Sequence, residues 1–124
     1  MQITYKQLIL AEAAMRPLLR VRGATIEIQL DLIRYYKEVK KLAEDYIMRE
    51  TELAQKHGAV LRNGKAEFSD VDEKSAFEAE KEKAKNESVE FIPLVIAVDN
   101  SIWQATTPEM LMALEGIIVP EVLA

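Results

Sequence analysis

The chain has 124 residues, of which 49% are apolar and 30% charged, with a net charge of −5 and no cysteine. That length supports one hydrophobic core rather than two, and the composition is that of a folded chain rather than a disordered one. Zero cysteines exclude disulfides, thiol catalysis, Cys-ligated zinc and iron–sulfur clusters.

A first helix is predicted from about Tyr5 to Arg20. Thr4 and Gln7 have the spacing of a capping box, and Leu8, Ala11, Met15, Leu18 and Leu19 fall roughly on one face. Pro17 removes a backbone donor and clashes with the preceding turn, which predicts a kink or a break. Arg22-Gly23-Ala24-Thr25 then connects to a second helix, with Thr25 as its N-cap. From Ile26 to His57 there is neither Gly nor Pro. Leu32, Tyr35, Val39, Leu42, Tyr46, Arg49 and Leu53 recur at spacings of three and four, the pattern of a helix seam. Lys56 and His57 suit the negative end of that helix, and Gly58 suits a left-handed cap beyond it. Such a helix would measure about 48 Å. The first helix covers about half of the seam, and later segments or a second copy must cover the remainder.

Beyond the cap, Asn63-Gly64 between Ala59-Val60-Leu61 and Lys65-Ala66-Glu67-Phe68 signals a small β-hairpin. Ser69 or Asp70 can cap a third helix from about Asp72 to Glu87, whose charge run Glu78 to Lys85 reads as a solvated face or a loosely held arm. Val89 to Val98 is rich in β-branched residues and reads as extended. Pro93 confines it to an edge strand or breaks it. It has three candidate partners: the hairpin, the Gln2-Ile3 segment, or another chain. Thr107-Pro108-Glu109 supplies an N-cap, a proline at the first helical position and an acid in the first turn. The helix it starts runs through Leu114 and stops at Gly116, and Ile117 to Pro120 leaves as an apolar tail.

These elements predict a mainly α fold (α+β with minor β). It comprises an N-terminal helix, a long central helix forming a helical hairpin with a coiled-coil seam, a small β-hairpin or extended segment, and a short C-terminal helix. One domain spans residues 1–124: a long-helix core at 1–58, a loop and charged arm at 59–88, and an extended segment with the last helix at 89–124. The N-terminus lacks the pattern of a signal peptide, and the apolar run Ile92 to Val98 is too short to cross a bilayer. A cytoplasmic protein is expected, without membrane contact.

Charge is unevenly divided. Residues 1–62 carry eleven Lys/Arg against eight Asp/Glu, and residues 63–124 carry five against thirteen. Either the basic half meets a polyanion, or the two halves face each other within a chain or across an oligomer. The second reading is the simpler. Tyr35, Tyr36, Lys37, Lys40 and Lys41 set aromatics beside bases, but Glu38, Glu44 and Asp45 among them argue against nucleic acid.

No catalytic residue, metal set or cofactor motif is visible. The sole histidine, His57, is explained as a helix cap. Glu27 with Asp31, and Glu78 with Glu82, lie four apart, yet no Glu-x-x-His pair completes a di-metal site. The suggestive cluster is basic. Arg16, Arg20 and Arg22 flank the start of the second helix, where guanidinium groups and free amides can hold an anion. Tyr35, Tyr36 or Trp103 could stack on a base there. The competing reading pairs these arginines with Glu12, Glu27 or acids of the other half.

Taken in order, Ile3-Thr4-Tyr5-Lys6-Gln7-Leu8, Lys56-His57-Gly58, Asn63-Gly64, Val89-Glu90-Phe91-Ile92-Pro93-Leu94 and Thr107-Pro108-Glu109-Met110-Leu111 with Leu114 resemble the element pattern of a family of short phage and prophage helical proteins. The resemblance implies a phage accessory protein in the cytoplasm of a bacterial host. With no catalytic motif, the expected role is non-enzymatic. It would be a homo-oligomer joined through Leu32, Tyr35, Val39, Leu42, Tyr46 and Leu53, binding a phage or host protein as an assembly factor or an inhibitor of host defence. The alternative is an oligomer that sequesters a phosphate-bearing, nucleotide-like small molecule through Arg16, Arg20, Arg22, Tyr35, Tyr36 and Trp103.

Overall fold

A computed structural model describes residues 2–21, 25–97 and 100–121. Strand β1 (Gln2–Thr4) leads directly into helix α1 (Tyr5–Leu18). The capping box forms as expected: the Thr4 hydroxyl accepts from the Gln7 amide at 3.2 Å, and the Gln7 side chain accepts from the Thr4 amide at 3.0 Å. Pro17 does not divide α1. It lies in the last turn, so it costs one i→i−4 bond with only Leu18 left to follow, and the Arg20 amide closes a tight turn onto the Pro17 carbonyl.

Helix α2 runs from Ile26 to Lys56, capped by Thr25 at its start and followed by Gly58 at φ +81°. Its 31 residues span about 46 Å. Two shorter helices laid end to end cover that length. Helix α1 runs antiparallel to α2, with the Tyr5 ring stacked on Tyr46 at 5.5 Å and Tyr36 bonded to Glu12. Helix α3 (Val71–Lys85) runs antiparallel to the C-terminal part of α2, so Glu73 meets His57 and Glu87 beyond its end meets Arg49. At the junction β1 pairs antiparallel with β4 (Ser88–Glu90), Gln2 opposite Glu90 and Thr4 opposite Ser88. The Tyr5 amide also bonds the Glu87 carbonyl at 3.1 Å.

The centre of the α2 seam is therefore filled from within. Leu32, Val39 and Tyr46 are buried, and Tyr35, Leu42 and Leu53 are partly covered by the chain's own segments. Leu32, Val39 and Tyr46 therefore have no surface left to offer a second copy, whereas Tyr35 and Leu42 border one open groove and Leu53 another. The uneven charge is used the same way: Arg49 and Lys56 of α2 and His57 at its cap face Glu87, Glu80 and Glu73 in and beyond α3.

Between α2 and α3, β2 (Val60–Arg62) and β3 (Lys65–Glu67) form the expected hairpin. Asn63 at φ 52° and Gly64 at φ 76° make its turn, a conformation that suits the strand twist and that Asn and Gly reach at least cost. Of the two expectations for the Val89–Val98 stretch, the break holds. Pro93 separates β4 from β5 (Leu94–Ala97), and Val98 lies outside the described residues. Strand β5 pairs in parallel with β6 (Ile118–Glu121), so the segment read as an apolar tail is a strand. The crossover between them carries a 3₁₀ turn (Ser101–Ala105), absent from the sequence expectation, and helix α4 (Pro108–Ala113), capped by Thr107. Leu8, Met15, Leu32, Ile96, Ile102 and Ile117 lie at the centre of the core, where α1, α2 and this C-terminal layer meet.

Tyr46 is 1% exposed, and its hydroxyl has no hydrogen-bond partner among the described residues. Burial, with Glu50 and Glu82 nearby, pushes its ionisation up to about 12. Replacing Tyr46 with Phe removes an unsatisfied polar atom and keeps the ring on Tyr5. Urea denaturation should show stability unchanged or raised by about 1 kcal/mol. A loss of that size would mean the hydroxyl is bonded in solution.

Candidate functional site

Glu12 stands on the face of α1 that meets α2, its side chain 13% exposed. It accepts two hydrogen bonds from Arg16, at 2.9 Å from Nε and 2.6 Å from a terminal nitrogen. The Tyr36 hydroxyl of α2 donates to the same carboxylate at 2.8 Å. The Arg16 bonds hold the Glu12 carboxyl below the usual range, helped by Tyr36 and by Lys40 through space and opposed by partial burial. The Arg16 guanidinium is raised for the same reason.

Arg16, Arg20 and Tyr36 line a common open hollow of about 800 Å³ with Ala13, Pro17 and Leu19. Of its two guanidinium groups, Arg16 is committed to Glu12, whereas Arg20 is exposed and has no ion-pair partner among the described residues. The hollow lies at the C-terminal end of α1, where backbone carbonyls disfavour an anion. Among the described residues, Arg20 is thus the hollow's one uncommitted guanidinium. The other residues expected at this site lie elsewhere. Tyr35 packs edge-on against Phe91, at 6.0 Å between centroids, in a separate groove bounded by Arg34 and Lys41. The Trp103 ring nitrogen donates to the Ala97 carbonyl at 2.9 Å and Ile96 at 3.3 Å, which fixes the 3₁₀ turn onto β5. Arg22 lies outside the described residues.

His57 does more than end a helix. Its Nδ1 lies 2.7 Å from a Glu73 oxygen and its Nε2 3.3 Å from Glu80, with Lys56 also 3.9 Å from Glu80. Glu73, seven residues before Glu80, places both carboxylates on one face of α3. The Glu73 hydrogen bond, against partial desolvation and with Glu80 adding, raises the His57 pKa. The raised folded value means the charged imidazole holds α3 fully below the unfolded pKa of about 6.5, and this contribution is lost as pH rises through the folded pKa. Amide exchange in α3 should therefore quicken across that rise more than exchange in α1. Replacing His57 with Gln should remove the difference, and an unchanged profile would exclude the clamp.

The outer face of α2 carries a feature that the seam obscured. Ile26, Leu30 and Ile33, four and three residues apart, are 73%, 61% and 41% exposed. They point away from Leu32 and Val39, so the start of α2 is apolar on two opposite faces. Basic residues follow them: Arg34 bonds Asp31 at 3.0 Å and Lys40 lies 3.9 Å from Glu44, while Lys37 and Lys41 have no ion-pair partner among the described residues. Spacing alone held this signal, but a stripe centred on Leu32 satisfied the helix pattern first. Among the described residues no cluster of three His, Cys, Asp or Glu could hold a metal, and no helix is long and apolar enough to cross a membrane. No protein-family model, characterised protein or solved structure matches this chain.

Proposed function

We propose that the protein is a non-enzymatic interaction protein that works as a homo-oligomer, its copies meeting through the outer face of α2. The observation that carries this is the exposed row Ile26, Leu30 and Ile33. Apolar side chains at one-turn spacing on a solvent face are the pattern by which a helix docks a second helix. Each such side chain contributes about 1.5–3 kcal/mol when fully buried. The resemblance to short phage and prophage proteins adds a setting: an accessory protein in the bacterial cytoplasm whose assembly binds a phage or host protein, as an assembly factor or an inhibitor of host defence. Size-exclusion chromatography with light scattering tests the self-association. The mass should fall on dilution from a multiple of 14.1 kDa toward 14.1 kDa. A constant 14.1 kDa up to high concentration would remove the oligomer from the account.

A second reading is sequestration of a phosphate-bearing, nucleotide-like small molecule. It is favoured by one observation, the shared hollow of Arg16, Arg20 and Tyr36. Since Arg16 is bound to Glu12, Arg20→Ala should abolish binding of a nucleoside phosphate by calorimetry while leaving the fold intact. Unchanged affinity would exclude Arg20 from the site.

A further inference from the structure

We infer that the second copy packs antiparallel against the first turns of α2, across a two-fold axis at Leu30; this rests on the self-association proposed above. The exposed row is nearly symmetric about that residue. Ile26 lies four positions before Leu30 and Ile33 three after, so reversing the helix about Leu30 lays isoleucine over isoleucine. The flanking charges are antisymmetric. Glu27 precedes Leu30 by three and Arg34 follows it by four, and their separation of seven positions puts both on one side of the row, within about 20°. In an antiparallel pair that side meets the same side of the other copy. Each Glu27 then faces an Arg34 of the second copy, twice across the axis.

Both groups are free to do this. Glu27 is exposed, and the Arg34 side chain is 67% exposed, held only by Asp31 one turn back and by the Tyr35 ring. The lysines select this arrangement over others. A parallel pair would set Lys37, Lys40 and Lys41 against themselves, and so would an antiparallel pair centred further along the helix. Centred on Leu30, the contact ends before Lys37 and leaves all three in solvent. It is also short compared with the interface of a permanent dimer, so association is reversible and dependent on concentration.

Because the chain has no cysteine, single cysteines report the axis directly. Leu30→Cys places two thiols within disulfide reach across the two-fold, whereas Met48→Cys, also on the outer face and 63% exposed, lies five turns away. Under mild oxidation of the full chain, Leu30→Cys should give a covalent dimer at least about tenfold faster than Met48→Cys. Glu27→Arg alone and Arg34→Glu alone should each weaken association measured by sedimentation, and the double reversal should restore it. Equal or faster cross-linking at Met48→Cys, or no restoration in the double variant, would overturn the antiparallel contact while leaving self-association standing. A wild type that sediments as one copy at every concentration would remove both.

Discussion

Truncating Leu32 to alanine is expected to cost about 2–5 kcal/mol of unfolding free energy. Leu32 is 1% exposed and sits in the core among α1, α2 and the C-terminal layer, so deleting its methyl groups leaves a cavity that several elements would have to close. A loss of that size is a large part of the roughly 5–15 kcal/mol that holds a typical domain. Urea denaturation measures it. Because the seam is filled by the chain itself, the loss should be the same at low and high protein concentration. A cost that vanishes on dilution would mean that Leu32 is buried by another copy instead.

Leu30→Glu, two residues away on the opposite face, should give the reverse result. Leucine and glutamate have similar helix propensity, and Leu30 is 61% exposed, so the monomer's stability should change by no more than about 0.5 kcal/mol. Self-association should fail, because two apolar contacts are lost at the axis and two carboxylates are set against each other. With 61% of each leucine left to bury, about 1–2 kcal/mol is lost at each, which raises the dissociation constant by at least about twentyfold. Sedimentation equilibrium reads this directly. If Leu30→Glu associates like the wild type, the outer face is not the contact.

Leu30 and Leu32 also show what could be read from the chain alone. The ends of α2 were legible because local chemistry sets them: Thr25 at the cap, no Gly or Pro within, Gly58 beyond. The Asn63-Gly64 turn and the Thr107-Pro108 start were legible for the same reason. Pairings set at a distance were not. Strand β6 reads as a tail because its partner, Leu94 opposite Ile118, lies far away in sequence. Helix α3 buries only Phe77 and Ala84 and so reads as a loose arm. It is held instead by pairs that no periodicity announces, Arg49 with Glu87 at 2.6 Å and His57 with Glu73 at 2.7 Å.

The candidate site divides along the same line. That Arg16 and Arg20 lie one turn apart was local information, and Glu12 was one of the acids expected to compete for them. The approach of Tyr36 to that pair depends on how α1 crosses α2. Chemistry alone groups Tyr35 and Trp103 with the arginines, and the fold sends them to the Phe91 contact and to the β5 carbonyls. The seam posed a different difficulty. A spacing of three and four identifies a face that must be covered but not the chain that covers it, and α1 with α3 together supply enough length.

Hydroxyl-radical footprinting at two protein concentrations tests most directly whether copies meet on the outer face of α2. Labelling of Ile26, Leu30 and Ile33 should fall as concentration rises, while Met48 and Met112, 63% and 77% exposed, stay equally reactive. Labelling of the three residues that does not change with concentration, in samples that have associated, would contradict the account and place the contact on another surface.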